Sequence, residues 1–290
     1  MEHAILIICH NNVSVVRSAI KILDDSRFHF FIMIDKKSSI KNSDLSNAVD
    51  VSNCTFVDRE SINWGGYSYS HAVFSLLKEA LKNPCINYFH MMQGADLPLK
   101  TPEEIDAFCI KHADMNFINF RENDFPSMAN RMGCKHFFVD TKQYRANKGI
   151  QYLDKAIAKI QMPINKNKKF YFHSALFSIS RPFAEYFVQQ EDAAEKAFKY
   201  SLLAEESLMG TILINSEYKS TCDGNVDTRL IDWSRRQGSS PHTFTAEDHE
   251  MLLNAMQKEH ILFARKFSET QDREIVDSIL KEMLSKKKKI

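Results

Sequence analysis

The sequence predicts an α/β fold with a mostly parallel central sheet. Three observations carry that reading: β-rich runs alternate with helix-patterned runs over the first 120 residues, an unambiguous helix start falls at Thr101, and 44% hydrophobic content over 290 residues supplies a large core. In order, "HAILIIC" (3–9), "HFFIMID" (29–35), "TFVD" (55–58), "NYFHMMQ" (87–93) and "MNFINF" (115–120) read as strands. Between them, "NNVSVVRSAIKILDD", "YSYSHAVFSLLKEALKN" and "TPEEIDAFCIKHA" space their apolar residues at helical period. The last opens with Thr101 as cap, Pro102 at the first helical position and Glu104 closing a capping box.

Past residue 120 the pattern loosens. "FRENDFPSMANRMGCKH" and "PINKNKKFYFHS" read as loops, "ALFSIS" as a strand, and Ser180 with Pro182 opens a helix. A further helix carries "LLAEESLMGTILINS" (202–216), and "TAEDHEMLLNAMQKE" follows with Thr245 and Asp248 as a capping pair. Nothing repeats and no low-complexity linker divides the chain, so 1–290 reads as one domain: a nucleotide-type half (1–120) and an acceptor and catalytic half (121–290).

Composition excludes several classes. Thirty-eight basic residues nearly balance 37 acidic ones, so no global field points to nucleic acid. The one charged run, "KEMLSKKKKI", is either a solvated terminus or a peripheral contact with an anionic membrane. Six cysteines lie scattered without zinc spacing, and no run of about 18 or more apolar residues exists. A cytoplasmic location is expected. There is no G-x-G-x-x-G, P-loop or G-x-S-x-G elbow, which argues against dehydrogenase, kinase and hydrolase readings.

Ligands of open α/β sheets bind at the carboxyl ends of strands, which directs attention to His10, Asp35 and "GAD" at 94–96. Asp35 can accept hydrogen bonds from a ribose or base, or simply cap the next segment. "INWGGYS" (62–68) offers Trp64 for stacking and two glycines for close backbone approach. No D-x-D is present; Asp58 with Glu60, or Glu122 with Asp124, are looser carboxylate pairs. Arg265 and Lys266 sit between apolar neighbours in "HILFARKFS", where an anion would repay their desolvation, unless both snorkel to the surface. Trp233, amid cations in "RLIDWSRRQGSSPH", is either a sugar-stacking face or core. Glu205 and Glu206 are adjacent in the 202–216 helix, and spacing alone does not decide which turns inward.

Taken together, "ILIICHN", "IMIDKKS", "ESINWGGYS", "GADLPLKT", "HSALFSIS", "LLAEESLMGTILINS", "IDW" and "FARKF", in that order, resemble glycosyltransferase family 14, which holds the core-2/I-branching β-1,6-N-acetylglucosaminyltransferases and peptide O-xylosyltransferases. The resemblance implies a GT-A-type fold and inverting transfer from a UDP-sugar without a divalent metal or other cofactor. It implies Glu206 as general base, His10, Asp35, Trp64, Arg265 and Lys266 on the donor, and Trp233, Glu122 and Arg131 on the acceptor. Where the xylosyltransferases carry Ser-Asp-Trp this chain reads Ser174, Ala175 and Leu176, closer to the branching enzymes, while "WGG" and "FARKF" are closer to the xylosyltransferases. The membrane anchor, stem and disulfide cysteines of the animal members are not seen, which implies a compact bacterial version acting on a glycan or lipid-linked saccharide in surface polysaccharide synthesis. A sugar-binding protein that has lost catalysis and a metal-dependent transferase are the other readings carried forward.

Overall fold

The computed structural model describes residues 1–120, 130–165, 168–222 and 226–288. Its frame is a six-stranded sheet in the order β3-β2-β1-β4-β7-β6, where β1 is Glu2–Cys9, β2 Phe28–Ile34, β3 Asn53–Phe56, β4 Ile86–Gln93, β6 Phe117–Phe120 and β7 His173–Ser180. β3, β2, β1 and β4 pair in parallel; β7 runs antiparallel between β4 and β6. Strands from both halves of the chain therefore build one sheet.

Every residue of β2 and all but the first of β1 are buried, as parallel strands covered on both faces require. Side chains alternate between two cores. Ile5, Ile7, Phe30 and Ile32 pack on one face with helices α1 (Val13–Leu23) and α4 (Pro102–Lys111) and the last helix, Arg273–Lys287. Leu6, Phe31, Met33 and Phe89 pack on the other with α3 (Tyr67–Leu81) and Arg181–Gln189. A short turn of helix, α2 (Asn42–Ser46), precedes β3. The later helices are α5 (Lys148–Ile160), α6 (Arg181–Gln189), α7 (Glu191–Phe198), α8 (Leu208–Ile214), α9 (His249–Met256) and α10 (Arg273–Lys287).

The expected strands and the first helices stand within a few residues of their sequence-derived bounds. The Thr101 box forms as expected: Glu104 N–H donates to Thr101 Oγ1 (3.4 Å) and Thr101 N–H to Glu104 Oε2 (2.9 Å). Ser180 does not cap α6 with its side chain; its N–H and hydroxyl both donate to Asn116 Oδ1 (2.9 and 3.3 Å), which locks β7 to β6. α5, capped by the Asn147 side chain, was not anticipated, nor was a small second sheet of β5 (Asp96–Pro98), β9 (Phe263–Arg265) and β8 (Arg229–Ile231) in the order β5-β9-β8.

Among the described residues no helix is long and apolar enough to cross a membrane. The lysine-rich tail is partly engaged. Lys286 Nζ donates to Glu104 Oε1 (2.6 Å), and Lys287 to the Asp24 carbonyl.

Candidate functional site

Chain order reverses direction between β1 and β4, and the carboxyl ends of those strands open the cleft that such a reversal creates. His10 lies just beyond β1. Desolvation lowers its pKa, the Asp35 carboxylate works against this, and Arg145 and Lys37 add to the lowering, which places all four groups at one cleft edge. Asp35 is buried at the end of β2, where Oδ1 accepts from the Lys37 N–H (2.8 Å) and Oδ2 lies 3.5 Å from Lys37 Nζ. It thus caps its own turn, with its carboxylate also acting on His10. Trp64 is 42% exposed, with the Arg145 guanidinium 5.5 Å from its ring centroid.

The glycines after Trp64 serve the protein rather than a ligand. A Cβ on Gly66 would lie 2.4 Å from Asp140 Oδ1, so only glycine admits that carboxylate. Asp140 in turn accepts from Ser68 N–H (2.9 Å), Ser68 Oγ (2.6 Å) and Asn63 Nδ2 (3.1 Å). α3 has no side-chain cap of its own, and Asp140 supplies one from a distant segment.

The small sheet delivers the cations. Asp96 and Arg265 are cross-strand partners, and Arg265 Nη1 donates to Asp96 Oδ1 at 2.6 Å. The carboxylate that opens β5, three residues past β4, is therefore already matched by a guanidinium. Lys266 follows with no carboxylate partner among the described residues; its pKa is lowered by desolvation and by the like charges of Arg265 and Arg145. Arg265 is neutralised by Asp96, but Lys266 and Arg145 are left as cations near one another, an arrangement suited to an anion.

The glutamate pair sits differently from the sequence expectation. The 202–216 run is not one helix: a 3-10 turn, Ala204–Glu206, precedes α8, with Leu203 left-handed (φ 57°) and Ser207 outside helical geometry (φ −141°). Leu203 N–H donates to Gly65 O (2.8 Å), which clamps this turn to the Trp64 loop. Glu206 accepts from Arg131 Nη1 at 2.9 Å with both side chains about a quarter exposed. Arg131 is thus beside the glutamate, its guanidinium 5.4 Å from the Phe172 ring centroid. Glu205 is the one that turns inward. Its Oε2 is buried with no hydrogen-bond partner among the described residues, and its side chain lines a cavity of about 20 Å³ with Ser70, Val73, Phe177 and Met209. Burial, then the charge of Glu206, pushes its pKa up to about 8. Spacing could not predict this, because the broken helix sets the two side-chain directions.

Trp233 is half-buried in the loop after β8, beside an Asp232 that accepts from Ser234 N–H (2.8 Å). Glu122 and Asp124 lie outside the described residues. Glu60, of the other looser carboxylate pair, is committed to His71 Nδ1 (2.6 Å) and Ser75 Oγ (2.9 Å), while Asp58 is exposed. Sequence reading missed Arg145, Lys37 and Asp140. Lys37 stands inside "IMIDKKS", but nothing local marks Arg145 or Asp140.

A separate buried cluster, His3, His90 and Cys109, has metal-ligand proximity that chain spacing hides. Its histidines are already paired. His3 Nε2 donates to Asp106 Oδ1 (3.2 Å), His90 Nε2 to His3 Nδ1 (3.2 Å), and Ser178 Oγ to His90 Nδ1 (2.9 Å), one consistent set of neutral tautomers. It lies toward the amino end of β1, opposite the cleft.

Fold and site together define an α/β protein with cations beyond the carboxyl ends of its strands at a sheet switch point and a glutamate turn clamped to the neighbouring Trp64 loop. The chain belongs to the Core-2/I-Branching enzyme family, whose profile matches residues 4–258. It is 24% identical over 298 residues to rat xylosyltransferase 2, covering 94% of this chain and 33% of that protein, and 24% identical over 273 residues to chimpanzee xylosyltransferase 1, covering 86% and 27%. The chain thus spans about a third of the length of these curated relatives. A crystal structure of mouse xyloside xylosyltransferase 1 in its apo form is similar at a TM-score of 0.43 and 9% identity, over 91% of this chain and 96% of that one.

Proposed function

We propose that this chain is an inverting, metal-independent glycosyltransferase that moves a sugar from a UDP-sugar to a hydroxyl of a glycan or lipid-linked saccharide. The observation that supports it most is that the Glu206 turn is clamped to the Trp64 loop, whose tryptophan carries Arg145, one of the two cations whose charge acts on Lys266. The acceptor hydroxyl attacks the anomeric carbon as the bond to the diphosphate breaks on the opposite face, which inverts that carbon. Glu206 takes the hydroxyl proton, and Lys266, with Arg265 and Arg145 beside it, meets the charge left on UDP. His10, Asp35 and Trp64 form the donor's nucleoside side, and Trp233 and Arg131 the acceptor side. The enzyme works in the cytoplasm.

Xylosyltransferase relatives and the branching-type Ser174–Leu176 segment put UDP-xylose and UDP-GlcNAc first in a donor panel with UDP-glucose and UDP-galactose. UDP release with at least one donor, unchanged by EDTA, is the expected result. Glu206→Gln keeps UDP binding and loses transfer by about a hundredfold or more. Release abolished by EDTA, or near-normal turnover of Glu206→Gln, overturns the corresponding part of the reading.

A further inference from the structure

We propose that α5 and the residues that follow it are a peripheral docking face for an anionic lipid surface. A helix on a protein surface ordinarily turns its apolar stripe to the core. α5 carries a second apolar strip on its outer side. Its only buried residue is Asp154, whose carboxylate takes His136 Nδ1 (2.6 Å) and Phe138 N–H (3.2 Å). Gln151 Nε2 donates to Tyr144 O (2.8 Å), and Gln161 exchanges two hydrogen bonds with the Lys135 backbone (3.1 and 2.9 Å). Polar bonds thus tie the helix to the body beside the half-buried Ile150 and Ile157, while other apolar residues point away: Tyr152 is 70% exposed, Leu153 51%, Ile160 85% and, just past the helix, Met162 81%.

Tyr152, Leu153, Ala156 and Ile160 fall within about 100° of one another around the helix, one continuous strip. Charge selects the occupant. The described residues of 141–170 include seven exposed cations (Lys142, Arg145, Lys148, Lys155, Lys159, Lys168 and Lys169) and one acid, the buried and paired Asp154. In a chain of net charge +1, this is a concentrated basic face around apolar side chains. Apolar residues that enter the headgroup layer and lysines that meet anionic lipid are the two components of interfacial binding. Arg145, just before α5, covers Trp64, so a membrane beneath α5 would lie next to the cleft. That geometry suits an acceptor carried on lipid, although the docking itself does not depend on transfer.

The test is co-sedimentation of the full chain with phosphatidylcholine vesicles, with and without phosphatidylglycerol. Binding is expected only with phosphatidylglycerol and is expected to weaken as salt is raised. Ile160→Ser with Met162→Ser should reduce partition about tenfold or more, and Lys155→Glu with Lys159→Glu should abolish it. All four side chains are exposed, so circular dichroism should show both variants folded. Absence of binding to anionic vesicles overturns the proposal and leaves the face to a protein partner. Binding that survives both helix variants but is lost in Lys287→Gln with Lys288→Gln also overturns it, in favour of the tail.

Discussion

Glu205 shows how one residue's environment reverses its reading. In sequence it is one of two adjacent acids; in the fold its carboxyl end is enclosed among Val73, Phe177 and Met209, with Tyr69 of α3, His173 of β7, Glu206, Arg131 and Asp140 as its titratable or charged surroundings. Its folded pKa is raised from 4.5 to about 8, so the folded chain keeps a proton that the unfolded chain releases. Its contribution to stability is therefore intact below about 4.5 and is lost as pH rises towards 8. Glu205→Gln should melt like the parent at the acid end and at progressively higher temperature than the parent as pH rises, with the gap levelling off above 8. A Tm difference that is flat with pH would show that Glu205 is ionised throughout. Lys266 makes a complementary prediction. Lys266→Ala removes the cation without a carboxylate partner, so UDP affinity measured by calorimetry should fall about tenfold or more, with a shallower dependence on salt.

At the level of elements, the helix starts divide into those the chain marks locally and those it borrows. α4 carries its own box, and Thr101→Ala should cost about 1 kcal/mol in chemical denaturation. α3 borrows its cap from Asp140, 72 residues beyond Ser68. Asp140→Ala should destabilise by about 1–2 kcal/mol and loosen the Trp64 loop, seen as faster amide exchange at Ser68. Gly66→Ala should do at least as much harm, because its Cβ meets Asp140. This division accounts for what could be read beforehand. Strands with runs such as "HFFIMID" and helices with local caps announce themselves through periodicity and side-chain chemistry. α5 has a local cap, Asn147, and helical spacing of its own, so it was legible and went unassigned, whereas the three-residue strands β5, β8 and β9 are too short for any period to register. Candidate site residues were visible where they follow a strand, as His10 and Asp35 do, or fall in an ordered motif, as Glu206 and Lys266 do. Arg145 reaches Trp64 only through tertiary placement, and no local pattern marks it.

On the scale of the whole molecule, the sheet ties the two halves of the chain together. Tyr88, Phe89 and His90 of β4 pair with Ser180, Ile179 and Ser178 of β7, so a fragment ending at residue 120 would expose a long strand edge and half of a core. Such a fragment is expected to lack a cooperative unfolding transition, where the full chain has one. The cross-strand pair of Asp96 with Arg265 extends this dependence into time, since 169 positions separate its two members. On the ribosome, the nucleoside side of the cleft can assemble while synthesis is under way, but β9 and the charge it brings arrive only after residue 266 has been made. On the function proposed above, a nascent chain lacks Arg265 and Lys266 for a diphosphate until then, so donor capture is expected to mature late in translation.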